Sequence, residues 1–276
     1  MPPLDSLTTL LYFDEDSGDF VGSSNRRIYY QFNNQESNFL LPFTLFDLFS
    51  FSRLLSRLFR IDRVNLISIS RDKLTFLRQF NLYSYDLNTK KIEFLKRLES
   101  TRNILMDSSA RDGMGNIIFG DYGGSGKVKI YKSSNDGFTW KEAYIFNENT
   151  VKQVLNIFWD NFSESFLVCT GDEQGECFFY IFDSQMELKE IIGDGSLKYR
   201  SISVFFEQNS IKWVTNDPYN GSKIYSMERS SYKTNLINSI DGSIWYSKLL
   251  KSKTIMLSSC AENTDDYNSK YIILRY

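Results

Sequence analysis

The sequence predicts an all-β chain that folds as a six-bladed β-propeller, with one short helix inserted near residues 44–60. Three observations predict this class. A short strand pattern with a central tyrosine recurs along the chain, apolar strand patterns separated by polar turns fill the intervals, and aromatic residues make up 16% of the sequence. Aromatic side chains favour pleated, half-buried surfaces, and four short strands per repeat are typical of a propeller blade.

The tyrosine-containing strand sets the repeat. It recurs about every 48 residues, a length that accommodates four strands and their turns. Its six copies contain Tyr29, Tyr83, Tyr131, Tyr180, Tyr225 and Tyr271. One four-stranded blade cannot bury both of its faces alone, so neighbouring blades are expected to stack and to form a continuous core.

The strand patterns place the blades within a single domain, residues 1–276. The six blades are predicted over residues 10–37, 63–98, 103–146, 153–192, 201–237 and 243–276. In the third blade, the first strand is predicted over residues 103–107. The last blade is one strand short at Tyr276, so an N-terminal strand, Thr9–Phe13, is expected to complete it and to remove the exposed edge.

Residues 44–60 do not follow the strand pattern. Their apolar residues fall at helical spacing, and Arg53, Arg57 and Arg60 are spaced for another face. The pattern predicts an amphipathic helix, which either packs across one end of the propeller or lies on a membrane surface. The packed helix is favoured because only three arginines line the polar face. A stretch so interrupted by charge is not a transmembrane helix.

Composition excludes several kinds of chemistry. The chain has 32 basic and 34 acidic residues, so it lacks the basic excess of a nucleic-acid-binding protein. It has no histidine, which removes Ser-His and Cys-His nucleophile arrangements and the commonest zinc ligand. No metal site and no cofactor are predicted. The N-terminus lacks the basic segment and apolar run of a secretory signal, so a cytoplasmic location is expected.

Three cysteines, Cys169, Cys177 and Cys260, are too few and too irregularly spaced for a disulfide framework. Cys169 and Cys177 fit neighbouring strands of one hairpin. That placement leaves a bridge between them open, but buried free thiols are the expected state.

One short motif, Ser-Ser-Asn-Asp-Gly-Phe-Thr-Trp, lies between the third and fourth strands of the third blade. Its turn-forming residues are Ser133, Asn135, Gly137, Thr139 and Trp140. A small polar side chain can bond the turn backbone, Gly137 can adopt positive φ, and Trp140 can anchor the hairpin. The motif resembles the Asp box, or BNR repeat, of sialidase-like propellers, with Asn135 at the usual aspartate position. The resemblance implies a structural turn and not a catalytic one.

A wider resemblance covers roughly residues 60–276. Four stretches, residues 119–122, 169–172, 199–203 and 213–218, are similar to bacterial and archaeal BNR-repeat or glycosyl-hydrolase-like proteins, several of them from polysaccharide gene clusters. This resemblance implies a carbohydrate-related propeller. That group carries histidines near the start of the fourth blade, where this chain has Asn156 and Phe158, and the departure argues against catalysis.

In such propellers, ligands meet the loops that enter each first strand and the loops that join second to third strands. The second-to-third loops are acidic, and the entry loops carry cations such as Lys152 and Arg200. Carboxylates accept from sugar hydroxyls, and arginine can bind a carboxylate bidentately. The candidate ligand-binding residues are Arg200, Tyr199, Tyr122, Arg102, Asn216, Asp217 and Glu173. A cation at Arg200, beside an apolar strand, also requires a partner such as Asp172.

Three functions remain open at this point. The first is non-catalytic glycan binding or a role in surface-polysaccharide metabolism. The second is a glycoside hydrolase or lyase that uses the loop carboxylates Asp121 and Asp172 as its catalytic pair. A true sialidase is not expected, because residues 59–62 lack the proline of the Arg-Ile-Pro signature. The third is a protein-interaction scaffold that docks through the helix near residues 44–60 or through the blade rim.

Overall fold

Short apolar strands separated by polar turns pair here with their neighbours in the chain. The computed structural model describes residues 7–24, 26–49, 63–99, 101, 103–123, 126–250, 254–260 and 271–275. The strands among them form six small antiparallel sheets, each made of consecutive strands. The chain divides into two compact units. One contains residues 1–107 and 133–140, and the other contains residues 108–132 and 141–276.

The first unit holds two four-stranded sheets. The first sheet consists of β1 (Thr9–Phe13), β2 (Phe20–Ser24), β3 (Arg27–Phe32) and β4 (Gln35–Leu40), and the second of β5 (Asn65–Ile69), β6 (Lys73–Arg78), β7 (Asn81–Asp86) and β8 (Ile92–Arg97). Their facing sides form one buried core, in which Ile28 and Phe39 pack with Leu74 and Tyr85. The rings of Phe39 and Tyr85 stack with centroids 3.8 Å apart. These two sheets therefore bury one face against each other, as the repeat predicts for neighbouring blades.

The prediction that Thr9–Phe13 completes the last blade is wrong. This strand, β1, pairs antiparallel with β2, so that Phe13 lies opposite Phe20. The cause is local, because Asp14 caps a tight turn after Phe13. Its Oδ1 accepts the backbone N–H groups of Asp16 at 3.0 Å and Ser17 at 2.9 Å. The turn returns the chain onto its own strand, which makes β1 the first strand of the first sheet.

A short 3₁₀ helix, Leu45–Phe49, follows the first sheet. It is anchored by a buried ion pair between Asp47 and Arg78, whose side chains have no exposed surface. Burial alone would raise the pKa of Asp47, but the hydrogen bonds from Arg78 and from the Thr44 backbone lower it below its usual value. The rest of the predicted amphipathic helix, residues 50–60, lies outside the described residues.

The second unit contributes four sheets. The third sheet consists of β9 (Ser109–Arg111), β10 (Ile117–Gly120), β11 (Lys129–Ser133) and β12 (Lys141–Ile145), and the fourth of β13 (Val154–Asp160), β14 (Ser165–Thr170), β15 (Cys177–Phe182) and β16 (Leu188–Gly195). The fifth consists of β17 (Ser201–Phe206), β18 (Ser210–Thr215), β19 (Ser222–Glu228) and β20 (Thr234–Ile240), and the sixth of β21 (Ser243–Leu249), β22 (Thr254–Cys260) and β23 (Tyr271–Arg275). Each of the six recurring tyrosines lies in the third strand of its sheet, which confirms that the repeat marks equivalent positions.

The predicted strand over residues 103–107 is wrong. The first strand of the third sheet is Ser109–Arg111, and the preceding segment bonds instead to side chains near β5. The Ile104 N–H donates to Asn65 Oδ1 at 3.2 Å, and the Ile104 carbonyl accepts from Arg63 at 2.9 Å. These side-chain partners satisfy both backbone groups of Ile104, which a strand would have paired with backbone.

The core of the second unit also lies between successive sheets. Ile130 and Phe146 pack with Phe166 and Phe182, which joins the third sheet region to the fourth. A separate cluster packs residues of the fifth sheet, such as Phe205, against residues of the sixth. None of the helices among the described residues has the length and apolar character needed to cross a membrane.

Candidate functional site

In three sheets, the loop that follows the second strand bonds to the start of the next sheet. The carbonyl of Asp121, after β10, accepts the N–H of Val154 at 2.7 Å. Asp172, which follows Gly171 after β14, bonds Arg200 at the entry to β17. Asn216, after β18, donates from Nδ2 to the carbonyl of Ile244 in β21 at 2.6 Å. Three candidate residues in corresponding loops therefore link one sheet to the following one, although by strand register Asn216 matches Gly171 and not Asp172.

Arg200 is the centre of the most extensive of these links. It follows the 3₁₀ helix Leu197–Tyr199 and is only 7% exposed. Its Nη2 donates to Asp172 Oδ1 at 3.0 Å, and its Nη1 donates to the backbone carbonyl and the side-chain oxygen of Asn216. The partnership with Asp172 that the sequence suggested is therefore present. A buried guanidinium held by one carboxylate and two carbonyl oxygens is rigid.

Lys152 binds Asp172 from the solvent-exposed side. Its Nζ lies 3.0 Å from Asp172 Oδ2 and 3.3 Å from Glu173 Oε1. The side chains of Lys152 and Glu173 are 47% and 72% exposed, whereas Arg200 beneath them is buried. The sequence named Lys152 only as an entry-loop cation. Its signal is its place in the loop that enters β13, where Gln153 separates it from the strand, whereas Arg200 directly precedes β17.

The two cations fix the ionisation of Asp172. Partial burial by itself would raise the pKa of this carboxyl group. The hydrogen bonds and charges of Lys152 and Arg200 outweigh burial, and they lower the pKa below its usual value. Asp172 is thus a carboxylate at neutral pH, with each of its oxygens bonded to a cation.

Asp121, its proposed catalytic partner, is 3% exposed and closes the loop between β10 and β11. Its Oδ2 accepts the backbone N–H of Lys129 at 2.9 Å, and its own N–H donates to the Lys129 carbonyl. The neighbouring Tyr122 is half-buried. The Asp121 carboxylate therefore stabilises its own loop.

Two further candidates have partners that explain them structurally. The ring of Tyr199 is buried and stacks on Trp213, with centroids 5.7 Å apart. Asp217 Oδ1 accepts the backbone N–H groups of Tyr219 at 2.8 Å and Asn220 at 3.1 Å, which is an Asx-type turn. Arg102 lies outside the described residues. The hydrogen-bonded cluster therefore comprises Lys152, Asp172, Glu173, Arg200 and Asn216, which we call the Arg200 cluster.

The loop beneath the Arg200 cluster is tightly built. Gly171 has φ +97°, and a Cβ at this position would lie 2.5 Å from the carbonyl oxygen of Glu176. Thr170 Oγ1 bonds the same carbonyl at 3.1 Å. Glycine is required at residue 171 both for the left-handed backbone and for this close approach.

Cys177 begins the strand that leaves this loop, and Cys169 lies in the strand that enters it. Both are free, buried thiols, so the alternative of a bridge between them is wrong. Burial raises the pKa of Cys177 to about 12 and that of Cys169 well above its usual value. The Cys177 thiol donates to the Glu173 carbonyl at 3.3 Å. These thiols pack and support the loop, and their pKa values make them poor nucleophiles.

Asn156, which takes the place of a histidine in the resembling proteins, is also structural. Its Nδ2 donates to the Ile202 carbonyl at 2.9 Å, and its Oδ1 accepts the N–H of Ile157 at 2.7 Å. The side chain therefore joins β13 to β17. Among the described residues, no group of three cysteine or acidic side chains is placed to hold a metal ion.

The turn of residues 133–140 forms a network of its own. Ser133 Oγ accepts the Gly137 N–H at 2.9 Å, and Asn135 Oδ1 accepts the Thr139 N–H at 2.9 Å. Trp140 Nε1 donates to the Gly137 carbonyl at 3.0 Å, and Gly137 has φ +86°. The oxygen of Asn135 makes the bond expected of an aspartate at this position, without its charge.

Comparison with known proteins identifies the fold class alone. No protein-family model and no curated protein sequence matches this chain. Among solved structures, the Dos1 propeller is similar with a TM-score of 0.58 at 8% identity, over 90% of this chain and 65% of that one. The BT4673 extracellular domain from B. thetaiotaomicron gives 0.55 at 14% identity, over 96% of this chain. Regucalcin from Agrobacterium tumefaciens gives 0.53 at 13% identity, over 96% of this chain and 85% of that one.

These neighbours define the class as an all-β, propeller-like protein. The chain spans 38% of the length of the BT4673 structure. The neighbours have different functions, and at these identities their likeness extends to the fold only.

Proposed function

We propose that the six sheets are the blades of one sialidase-like propeller with a single Asp box, and that this propeller binds a glycan without catalysis. The propeller neighbours and the stacking of successive sheets support the fold. The turn of residues 133–140 supports the Asp box through its hydrogen bonds. The ligand site is the Arg200 cluster, where the exposed Lys152 and Glu173 offer a donor and an acceptor to sugar hydroxyls.

One observation carries the choice of binding over catalysis: both oxygens of Asp172 are bonded to cations and its pKa is lowered. A glycosidase needs one carboxylic acid that is protonated near neutral pH, together with a second carboxylate. Asp172 is therefore unsuited to the role of general acid, and Asp121 is engaged by the Lys129 backbone. A rigid cluster with an exposed donor and an exposed acceptor suits recognition of hydroxyl groups.

The test combines a glycan array with calorimetric titration of the glycans that bind. Lys152→Ala removes one charged donor and is expected to weaken binding about tenfold, since hydrogen bonds to charged groups contribute about 1.5–3 kcal/mol. Lys189→Ala is the matched control. Lys189 is 48% exposed and also bridges two acidic residues, Asp183 and Glu187, but it lies on β16, the fourth strand of its sheet. Equal losses in the two variants, or release of free sugar during incubation, would contradict the proposal.

A second candidate function is protein binding, and one surface favours it. Phe43, Leu45 and Leu48 are 60%, 77% and 59% exposed around the 3₁₀ helix that Asp47 and Arg78 anchor. Large exposed apolar groups on a fixed support are typical of interaction surfaces. If this function holds, Leu45→Asp abolishes the binding of a purified partner and Lys152→Ala leaves it unchanged. The opposite pattern would assign binding to the Arg200 cluster.

A further inference from the structure

The fourth strand of each four-stranded sheet, which we call its outer strand, is an edge with backbone groups that no other strand of the sheet pairs. Charged side chains protect such edges from pairing with other chains. The outer strands β4, β8, β12 and β16 all carry charged residues within their bounds. The fifth sheet differs, because β20 has the sequence Thr-Asn-Leu-Ile-Asn-Ser-Ile. Of the outer strands that the structure describes in four-stranded sheets, β20 alone has no charged residue.

The middle of β20 presents apolar surface to solvent. Leu236 and Ile237 are consecutive in sequence, yet they are 54% and 52% exposed. The strand has a bulge at this point, because Ile224 pairs with Asn238 and Tyr225 pairs with Leu236, which leaves Ile237 as the extra residue. A bulge turns two neighbouring side chains toward the same side. The edge thus has an uncharged strand with two exposed apolar residues at its centre.

Charges of opposite sign flank this strand. Lys233 immediately precedes β20 and Asp241 immediately follows it, and both are exposed. When two copies of this segment lie antiparallel with Ile237 at the centre, Lys233 of each copy falls opposite Asp241 of the other. A parallel alignment would instead place like charges opposite each other, which is unfavourable. The segment is therefore complementary to an antiparallel copy of itself.

We propose that β20 is the surface through which two copies of this chain associate, with a two-fold axis through Ile237. A two-fold contact uses the same patch on both copies, so it requires this kind of self-complementarity. The apolar pair Leu236 and Ile237 forms the centre of the contact. Two reciprocal ion pairs between Lys233 and Asp241 flank it and fix the register.

Sedimentation velocity at increasing protein concentration measures self-association. Variants in which the charges of residues 233 and 241 are reversed test whether this surface mediates it. The wild type is expected to form dimers, and K233D or D241K alone is expected to weaken self-association about tenfold or more, since each places two like-charged pairs in the contact. An equimolar mixture of the two variants is expected to recover dimers, because their altered charges are complementary. The K233D/D241K double variant is expected to dimerise with itself.

Matched edge variants separate this contact from general surface effects. Ile237→Lys is expected to abolish the dimer, whereas Ile191→Lys on β16, where the residue is 49% exposed, is expected to leave it intact. Circular dichroism of each variant checks that the sheets remain folded. A wild type that stays monomeric at high micromolar concentration would overturn the proposal. So would a K233D chain that dimerises normally, or a mixture that does not recover dimers.

Discussion

Replacement of Asp172 by asparagine tests the Arg200 cluster most simply. The substitution keeps the shape of the side chain but removes the charge that Arg200 and Lys152 share. Arg200 is 7% exposed, and loss of one partner from a fully buried ion pair costs about 3–5 kcal/mol. Asp172 itself is 30% exposed and Asn216 still binds the guanidinium, so solvent and Asn216 reduce this cost. We expect Asp172→Asn to lower the free energy of unfolding by about 2 kcal/mol.

Urea denaturation followed by tryptophan fluorescence measures this change. Trp213 is a suitable reporter, because it is buried and its Nε1 donates to the Lys198 carbonyl at 2.7 Å. Asp183→Asn is the control, since Asp183 is also 30% exposed and is bonded to a lysine of similar exposure, but to no buried arginine. Such an exposed pair contributes about 1 kcal/mol or less. If Asp172→Asn costs no more than Asp183→Asn, the buried ion pair does not stabilise the fold and the reasoning is refuted.

Three other predictions concern the same loop. Because the fold lowers the pKa of Asp172, its stabilisation is complete above the usual carboxyl pKa and is lost as pH falls through the lower folded value. Urea titrations should therefore show a constant difference between wild type and Asp172→Asn near neutral pH, which shrinks below about pH 4; a difference that grows with acidity would contradict this sign. Gly171→Ala should destabilise the chain more than Gly175→Ala. Both residues have φ +97°, but only at residue 171 does the new Cβ meet backbone atoms, so equal urea midpoints would disprove the close approach. In native protein, Cys169 and Cys177 should resist alkylation until urea is added, as peptide mass spectrometry can record, and rapid native labelling of either thiol would show that it is not buried.

Much of the sheet pattern is predictable because it depends on local sequence. The tyrosine-containing strands repeat since each occupies the third place in its sheet. The predicted starts of the fifth and sixth blades, residues 201 and 243, are the first residues of β17 and β21. The strand predicted over residues 103–107 is wrong because an apolar run has the same appearance whether its backbone pairs with a strand or with side chains. There, the partners Asn65 and Arg63 are about 40 residues away, and no local pattern indicates them.

The candidate site also contains some residues whose role the sequence indicates and others whose role it does not. Arg200 could be paired with Asp172 from sequence because a cation beside a buried strand requires a counterion. The partner of Lys152 could not be predicted in this way, since an exposed lysine is solvated and requires no counterion. The sequence predicts Tyr199 and Asp217 at a ligand site because their residue types suit one, but stacking on Trp213 and capping of a turn account for their positions. Residue type alone does not separate these roles.

The central claim is that Asp172 is an ionised link between two sheets at neutral pH and not an acid of a catalytic pair. The most direct measurement is an NMR titration of chain labelled with ¹³C at the aspartate carboxyl carbons, in which Asp172→Asn identifies the signal of Asp172. The account predicts that this signal titrates below the usual aspartate pKa of 3.8 and that Arg200→Met moves the titration upward. A carboxyl group that titrates near neutral pH would contradict the account and would favour the hydrolase.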